Sequence, residues 1–403
     1  MAPSASPNLA LACAGLAAAA TAAAASAAAA PAAAARAVAA SAAAAAPSAS
    51  LLGALASVGL VAAASAAASA SDWRAFRARG ALNLAVAYAL AAAFLLGAPA
   101  LFARTWPALR PLDAGVGGAR SCALFVAAGF ACNSLTSLLG NVLFLPLYWT
   151  APAWADKYRT GVASWPWRSP SEETRRRFWN ELLPSSLVRV AVNHALVLPL
   201  LVATWTVLPL AHRRQVFAAE LPDAATLCWQ LVACTAVEDA LFYLGHRALH
   251  TPWLYRHVHS VHHEWHVTTT LTAEHAHVLE FVLSNMGPAV AGPLLFRVHA
   301  LTLWMFIVMR VCVSFEEHAG YAFPWSPCRL LPCGATVAGH DYHHANNGDG
   351  IFASEFHVLD AVLGTNGSFE AVRDARAARV AKVGAGGSGD GEGAITGAPA
   401  SAQ

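Results

Sequence analysis

The chain has 403 residues, of which 57% are hydrophobic and only 12% are charged, and its mean hydropathy is +0.48. Soluble proteins carry about twice this share of charged residues, so the composition predicts an integral membrane protein. With 25 basic and 23 acidic side chains the formal net charge is +2, which is too near neutral to indicate a nucleic-acid partner. The eight cysteines are too sparse for a disulfide framework.

The two ends of the chain have low-complexity sequences. Residues 1–70 are rich in alanine, serine and proline, and Arg36 is their only charged side chain. Such a tract specifies no packed face, so we expect a leader that is disordered or acts in targeting. Residues 367–403 are rich in glycine and alanine with scattered charge, which predicts a disordered tail.

Between these ends lie apolar runs that are long enough to cross about 30 Å of hydrocarbon as helices. The four clearest runs are Ala81–Ala103, Cys122–Trp149, Leu187–Leu210 and Ala224–Leu244. They predict an all-α fold, a transmembrane helical bundle. We expect residues 81–222 to form membrane helices and their loops.

A fifth apolar region, Val278–Val313, is too long for one span. Its interruptions are Gly287, Pro288, Gly292, Pro293 and Arg297. Because glycine and proline break apolar helices, the region predicts a hairpin of two short helices, which either span the membrane or re-enter it. Both ends of such a hairpin emerge on one side of the membrane.

Histidine is concentrated in one part of the chain, since 15 of the 17 histidines fall between residues 246 and 357. Three clusters have the spacing of metal ligands: His246 and His250; His259, His262 and His263; His340, His343 and His344. The first two rings share a helix face, and each H-x-x-H-H triplet can converge on one metal or bridge two. Imidazole suits iron, copper and zinc. Because eight uncoordinated imidazoles would be costly in a hydrophobic protein, we expect all eight to bind metal. By contrast, His257, His266, His299 and His357 are each expected to be surface or interfacial residues.

In this order, the clusters resemble the histidine motifs of the fatty acid hydroxylase / sterol desaturase superfamily of membrane di-iron oxygenases. Flanking segments within residues 120–366 are similar to those of the sterol C-4 methyl oxidases in particular. These segments are Glu238–His250, Leu271–His277, His318–Trp325, His340–His344 and Phe352–Thr365. The His-x-Gly-Tyr-x-Phe-Pro-Trp stretch that begins at His318 narrows the resemblance to that branch.

The resemblance implies that residues 223–366 are a di-iron catalytic domain, which oxidises the C-4 methyl group of a sterol precursor in the endoplasmic reticulum. It implies two non-haem iron ions, O2 as co-substrate, and electrons from NAD(P)H through cytochrome b5 and its reductase. It also implies two further metal ligands, His277 and His318, which bring the set to ten. At the first of these, Val278 stands where the family usually has proline.

The distribution of basic residues predicts on which side of the membrane the histidines lie. If the second, third and fourth runs each cross once, loop 150–186 lies on the same side as His246. That loop contains Lys157, Arg159, Arg168, Arg175, Arg176 and Arg177, whereas the loop on the other side has Arg213 and Arg214. The positive-inside rule therefore predicts a cytosolic histidine-rich domain.

Other polar and aromatic residues could support the metal site. The carboxylates that could orient the rings are Glu238, Asp239, Glu274 and Asp341. The first two could instead end a membrane span, and the last could cap a helix. The aromatic residues Tyr321, Phe323 and Trp325 could line a substrate entrance or anchor the chain at the membrane interface.

Two kinds of alternative stay open. Within the superfamily, a fatty acid or sphingoid hydroxylase or a sterol C-5 desaturase would use the same metal site, because substrate placement decides the outcome. A remote alternative is a non-enzymatic membrane metal binder or transporter. That function would place polar ligands at the midplane of the spans, whereas here the histidines follow the spans.

Overall fold

The computed structural model describes residues 49–68, 70–110, 118–161, 163–334, 336–346 and 350–373. Within these ranges the regular structure is helical, and the only β-type pairings are two isolated bridges. The helices are α1 (Ala49–Ala67), α2 (Ala70–Ala78), α3 (Ala81–Leu109), α4 (Ala119–Thr150), α5 (Ala153–Asp156), α6 (Glu172–Val207), α7 (Leu210–Val216), α8 (Ala224–Leu249), α9 (Pro252–His257), α10 (Val278–Phe296), α11 (Ala300–His318), α12 (Val337–Ala345) and α13 (Val358–Leu363). The prediction of an all-α membrane protein is confirmed.

Five of these helices, α3, α4, α6, α8 and α10, are long and apolar enough to cross a membrane. Their outward faces carry leucines, such as Leu135, Leu138 and Leu143 on α4, that are more than half exposed. Exposed tryptophans lie near the ends of these helices at Trp149, Trp179 and Trp253. Leucine-rich faces bordered by tryptophan are typical of helices in contact with lipid.

The end of the Ala-rich leader is part of the folded body. Helix α1 packs on α8, where the Gly53 backbone lies against the Trp229 ring and the Ser57 hydroxyl donates to the Trp229 carbonyl over 3.4 Å. The expectation that residues 1–70 lack packed structure therefore needs correction for residues 49–67. The small residues Gly53 and Ser57 allow this close helix contact, which a composition argument overlooks. Residues 1–48 lie outside the described part of the chain.

The start of the predicted tail is also packed. Residues 367–373 are helical, and Arg373 Nη1 lies 2.7 Å from Asp72 Oδ1, at the start of α2. The remainder of the predicted tail, from residue 374, lies outside the described residues. The predicted boundary at residue 367 is therefore too early by at least seven residues, because an ion pair holds this segment against the body.

Contacts between loops show which helix ends share a side of the molecule. Arg79, just before α3, donates to the carbonyls of Pro324 and Ser326, which follow α11. On the same side, the Thr160 backbone N–H donates to the Gly320 carbonyl over 3.1 Å. The basic loop after α4 therefore lies on the same side as the histidine-bearing segments, as the sequence predicted.

The predicted hairpin is present as α10 and α11, which are joined at Arg297–His299. Arg297 has a left-handed backbone (φ 50°), and His299 Nδ1 accepts a hydrogen bond from the Leu301 N–H at the start of α11. At this turn, His299 Nε2 donates to the Ala218 carbonyl, which also accepts from Trp106 Nε1 at the end of α3. The hairpin therefore reaches the side opposite the histidines.

Candidate metal centre and substrate cavity

The predicted ligands come from four separate segments that meet at one end of the bundle. His246 is in the last turn of α8 and His250 directly follows it, while His318 is the last residue of α11. One triplet lies on a 3-10 helix, His259–Glu264, and the other lies on α12. The Thr336 hydroxyl accepts from the Gly339 N–H and fixes the start of α12.

These segments bring nine histidines together in two groups, and the ligand atoms in each group lie within 4.8 Å of one another. The first group is His246, His250, His259, His263 and His343. The second group is His262, His318, His340 and His344. Each triplet contributes two rings to one group and its middle ring to the other. Of the two arrangements that the spacing allowed, the structure therefore has the one that bridges two centres.

Hydrogen bonds to the outer nitrogens fix the orientation of most rings. The Nδ1 atoms of His246, His262, His318, His343 and His344 donate to backbone carbonyls over 2.7–3.1 Å. Because a carbonyl only accepts, the proton in each neutral ring is on Nδ1. The Nε2 lone pair of each of these rings is therefore free to bind a metal.

The inner nitrogens converge at distances that suit a shared cation. His246 Nε2 lies 3.2 Å from His259 Nε2 in the first group, and His262 Nε2 lies 3.4 Å from His318 Nε2 in the second. In the second pair both protons are on Nδ1, so neither Nε2 can donate to the other. Two facing lone pairs in a buried site are unfavourable unless a cation lies between them. This donor set therefore fits a metal ion in each group.

Burial keeps the rings neutral. It lowers the pKa of His250 to about 2, of His343 to about 3 and of His318 to about 4. It is also the largest cause that lowers the pKa of His259, His262, His263, His340 and His344. Since a metal ligand must be deprotonated, these groups are ready to bind metal at neutral pH.

One carboxylate that sequence reasoning missed contacts the centre. Glu280 is 5% exposed, and its Oε1 lies 2.9 Å from His259 Nδ1 on the side of the ring opposite the first group. A carboxylate in this position orients the ring and increases the basicity of its inner nitrogen. The available signal was a lone acidic residue in an apolar segment, three positions after His277.

The predicted ligand His277 is in neither group. Its Nδ1 accepts a hydrogen bond from the Leu279 N–H over 3.1 Å and caps the start of α10. The ten-ligand prediction is therefore corrected to nine, because helix capping takes the lone pair that a metal would need. The neighbouring His275 also lies outside both groups, and its Nε2 lies 3.1 Å from Glu264 Oε2.

The other residues thought to support the site have different contacts. Glu238 pairs with Arg310, Asp239 accepts from the Glu355 and Phe356 N–H groups, and Glu274 Oε1 lies 2.8 Å from His194. Asp341 accepts from the hydroxyls of Thr160 and Thr268. These carboxylates hold segments together and contact no ring of either group, so the prediction that they orient the ligands is corrected.

The three aromatic residues after His318 pack against other aromatic rings. Tyr321 is fully buried, with its ring centroid 5.8 Å from that of Trp165, and Phe323 and Trp325 stack at 5.2 Å. None of the three lines either of the cavities described below. They pack the basic loop onto the histidine-bearing segments, because a stack of large rings excludes water there.

Two cavities adjoin near the metal centre. The histidine cavity is lined by His246, His259, His262, His318 and His340 together with residues of α10 and α11. The apolar cavity encloses about 820 Å³, including its open mouth, and is lined mainly by aliphatic side chains of α4, α6, α10 and α11. Asn133, Met286 and Arg310 line both cavities. The lining suits the hydrocarbon part of a lipid.

Comparison with known proteins fits this geometry. A family model described as fatty acid hydroxylase matches residues 231–365, which contain all nine clustered histidines. Methylsterol monooxygenase 2-2 of Arabidopsis thaliana is 37% identical over 194 residues, which are 46% of this chain and 70% of that protein. The chain belongs to the fatty acid hydroxylase family.

Two further relatives of this fatty acid hydroxylase family member are named for two different activities. Methylsterol monooxygenase 2-1 of Arabidopsis thaliana is 35% identical over 206 residues, covering 46% of this chain and 73% of that protein. A very-long-chain aldehyde decarbonylase of Oryza sativa subsp. indica is 40% identical over 183 residues, which are 45% of this chain and 67% of that protein. No solved structure matches the chain significantly. The resemblance to sterol C-4 methyl oxidases is confirmed. The chain is also similar to a protein that is named for another activity on lipids.

Proposed function

We propose that this protein is a membrane-bound lipid oxygenase that oxidises the C-4 methyl group of a sterol precursor. The observation that carries the proposal is the pair of histidine groups beside a cavity that continues into the apolar helical bundle. Membership of the fatty acid hydroxylase family and likeness to methylsterol monooxygenases support it. Residues 223–366 would be the catalytic domain, and residues 81–222 would hold it in the membrane.

Nine histidines would hold two iron ions, five in the first group and four in the second. With O2 and two electrons, bound iron supplies the oxidising power to convert a C–H bond into C–OH, with release of one water. An unactivated methyl group requires such an oxidant because no side chain provides one. Repeated oxidation of the same methyl would give the aldehyde and then the acid.

The protein's own residues would orient the metal ligands, exclude water and hold protons. Backbone carbonyls keep protons on the Nδ1 atoms, and Glu280 holds His259 in place. Glu317 and Glu355 line the histidine cavity, and burial raises the pKa of both well above the usual value. This shift favours the protonated form of both carboxyls, and release of water consumes two protons.

We propose that the metal centre faces the cytosol. The basic loop 150–186, which follows α4, lies on the histidine side, and an excess of basic residues is typical of cytosolic loops. NAD(P)H, cytochrome b5 and its reductase would then supply electrons from that side. Location in the endoplasmic reticulum follows from the same proposal, because the chain resembles sterol-pathway enzymes.

The second candidate is a reaction on a very-long-chain aldehyde, and similarity to the rice aldehyde decarbonylase favours it. Fatty acid or sphingoid hydroxylation and sterol C-5 desaturation would use the same centre with another placement of the substrate. A non-enzymatic metal binder does not account for an apolar cavity that adjoins the histidines.

Lipid profiling of a yeast strain that lacks its own sterol C-4 methyl oxidase tests the proposal. Expression of this chain should remove accumulated 4,4-dimethylsterols, whereas His343→Ala should leave them. His277→Ala is the matched control and should act like the parent chain, because its ring lies outside both groups. Persistent 4,4-dimethylsterols with the parent chain inserted in the membrane would refute the sterol assignment. Loss of long-chain aldehyde in the same extracts would favour the second candidate.

A further inference from the structure

We propose that a polar throat between the two cavities binds an oxygen substituent of the lipid, one or a few bonds from the carbon that is oxidised. The polar throat consists of Asn133, Glu238, Ser284 and Arg310. The inference rests on the proposed function and narrows the substrate class to neutral lipids that carry a hydroxyl or carbonyl group near the reacting carbon.

The polar throat lies at the boundary between the apolar cavity and the histidine cavity. Asn133 and Arg310 line both the apolar cavity and the histidine cavity, and Glu238 and Ser284 line the histidine cavity. Ser284 belongs to a π-helical turn, Phe281–Met286, which also contributes Met286 to both cavities. Such turns are frequent at functional sites, because the extra residue redirects side chains.

Asn133 is the clearest unpartnered polar group. Asn133 lies in the middle of the apolar helix α4 and is 7% exposed. Among the described residues, none forms a hydrogen bond with its side-chain amide. An unsatisfied amide in an apolar helix is costly, unless a bound molecule completes its hydrogen bonds. Ser284 is 6% exposed, and its hydroxyl likewise has no hydrogen-bond partner in the described part of the chain.

The charges of the polar throat select a neutral ligand. Arg310 Nε donates to Glu238 Oε1, and Arg310 Nη2 donates to the Asn285 carbonyl over 3.4 Å. The buried Glu238 Oε2 has no hydrogen-bond partner in the described ranges. A free carboxylate would have to displace Glu238 from Arg310, whereas a hydroxyl could donate to Glu238 Oε2 and accept from the Asn133 amide.

The position of the polar throat then limits which carbon is oxidised. With the hydrocarbon in the apolar cavity and an oxygen at the throat, only carbons close to that oxygen reach the histidine cavity. A sterol 3-hydroxyl beside C-4 and a terminal aldehyde both satisfy this geometry. A carbon in the middle of a long acyl chain does not.

Equilibrium binding to the iron-loaded, unreduced protein in nanodiscs tests the proposal without turnover. The probes are a 4,4-dimethylsterol against its 3-deoxy analogue, and a long-chain aldehyde against the matching alkane. For at least one pair, the parent chain should bind the oxygenated lipid about threefold to tenfold more tightly than its deoxygenated partner. This ratio corresponds to the free energy of one buried neutral hydrogen bond. Asn133→Leu should abolish this preference, and Ser284→Ala should reduce it.

Thr204→Val is the matched control, because it removes a hydroxyl from the apolar cavity away from the polar throat. Its oxygen preference should equal that of the parent chain. Equal binding of both members of each pair, or an unchanged preference in Asn133→Leu, would overturn the throat proposal. Sterol turnover is measured separately and tests the proposed function. Turnover without an oxygen preference in binding refutes only the throat proposal. An oxygen preference without sterol turnover refutes only the sterol assignment.

Discussion

The contact between Glu280 and His259 makes a quantitative prediction about metal affinity. Both side chains are nearly inaccessible to solvent, and the carboxylate lies 2.9 Å from the ring nitrogen that faces away from the first histidine group. Glu280→Gln keeps the shape and one acceptor oxygen but replaces the carboxyl group with an amide. The fold should survive this change, while the ring loses part of its basicity toward iron.

The magnitude follows from the role of the lost carboxyl group beside the ring. Replacing the outer partner of a metal-bound histidine costs about tenfold to 100-fold in metal affinity. Because glutamine keeps the shape and one oxygen beside His259, we expect a loss near the lower end, about tenfold. A tenfold loss corresponds to about 1.4 kcal/mol.

Anaerobic competition against a chromogenic ferrous chelator measures this affinity in the purified protein. Glu274→Gln is the matched control, because Glu274 is also buried and contacts a histidine, His194, that is in neither group. Its iron affinity should stay within about twofold of that of the parent chain. Unchanged affinity in Glu280→Gln, or an equal loss in the control, would refute the reasoning.

Three further predictions follow from the structure. His318→Ala should lose the iron of the second group, whereas His277→Ala should keep both ions. Elemental analysis of the purified variants measures their iron content. Equal iron content in the two variants would contradict the nine-ligand set. Gly292→Ala should lower the thermal unfolding midpoint, since a Cβ there would lie 2.8 Å from the Cys234 backbone. The expected cost in stability is about 1–3 kcal/mol. Gly97→Ala is the control and should not lower the midpoint, because a Cβ at that position meets no atom within 4 Å. The metal-free protein should lose stability as the pH falls from about 6.5 to about 4. His318 stays neutral in the folded state down to a pKa of about 4, while the unfolded chain already binds that proton below about 6.5. A flat unfolding midpoint across this range would contradict the burial of the ring.

Spacing alone predicted most of the rings that the structure brings together. The i,i+4 and H-x-x-H-H patterns indicated eight of the nine clustered histidines, because local helix geometry determines which side chains converge. The family resemblance added His318, but it also added His277, whose side chain caps a helix instead. Glu280 was missed because its partner His259 is far away in sequence, and one acidic residue in an apolar segment gives no periodic signal.

The hairpin shows the same limit of sequence patterns. Its two helices were predicted, but the glycines and prolines at 287–293 lie within α10, and the chain turns at Arg297–His299. The π-helical turn directly before Gly287 shifts the hydrogen-bond register and allows Pro288 to continue the helix. Helix α10 packs along α8, and a composition pattern contains no information about such contacts.

The central claim is that two iron ions held by the nine histidines use O2 to oxidise a lipid. Its most direct test is incubation of the purified, iron-loaded protein with a 4,4-dimethylsterol, reductant and 18O2, followed by mass spectrometry of the sterol. The account predicts one 18O atom in a C-4 hydroxymethyl product and none with His343→Ala. An unlabelled sterol product, or equal labelling with His343→Ala, would contradict it.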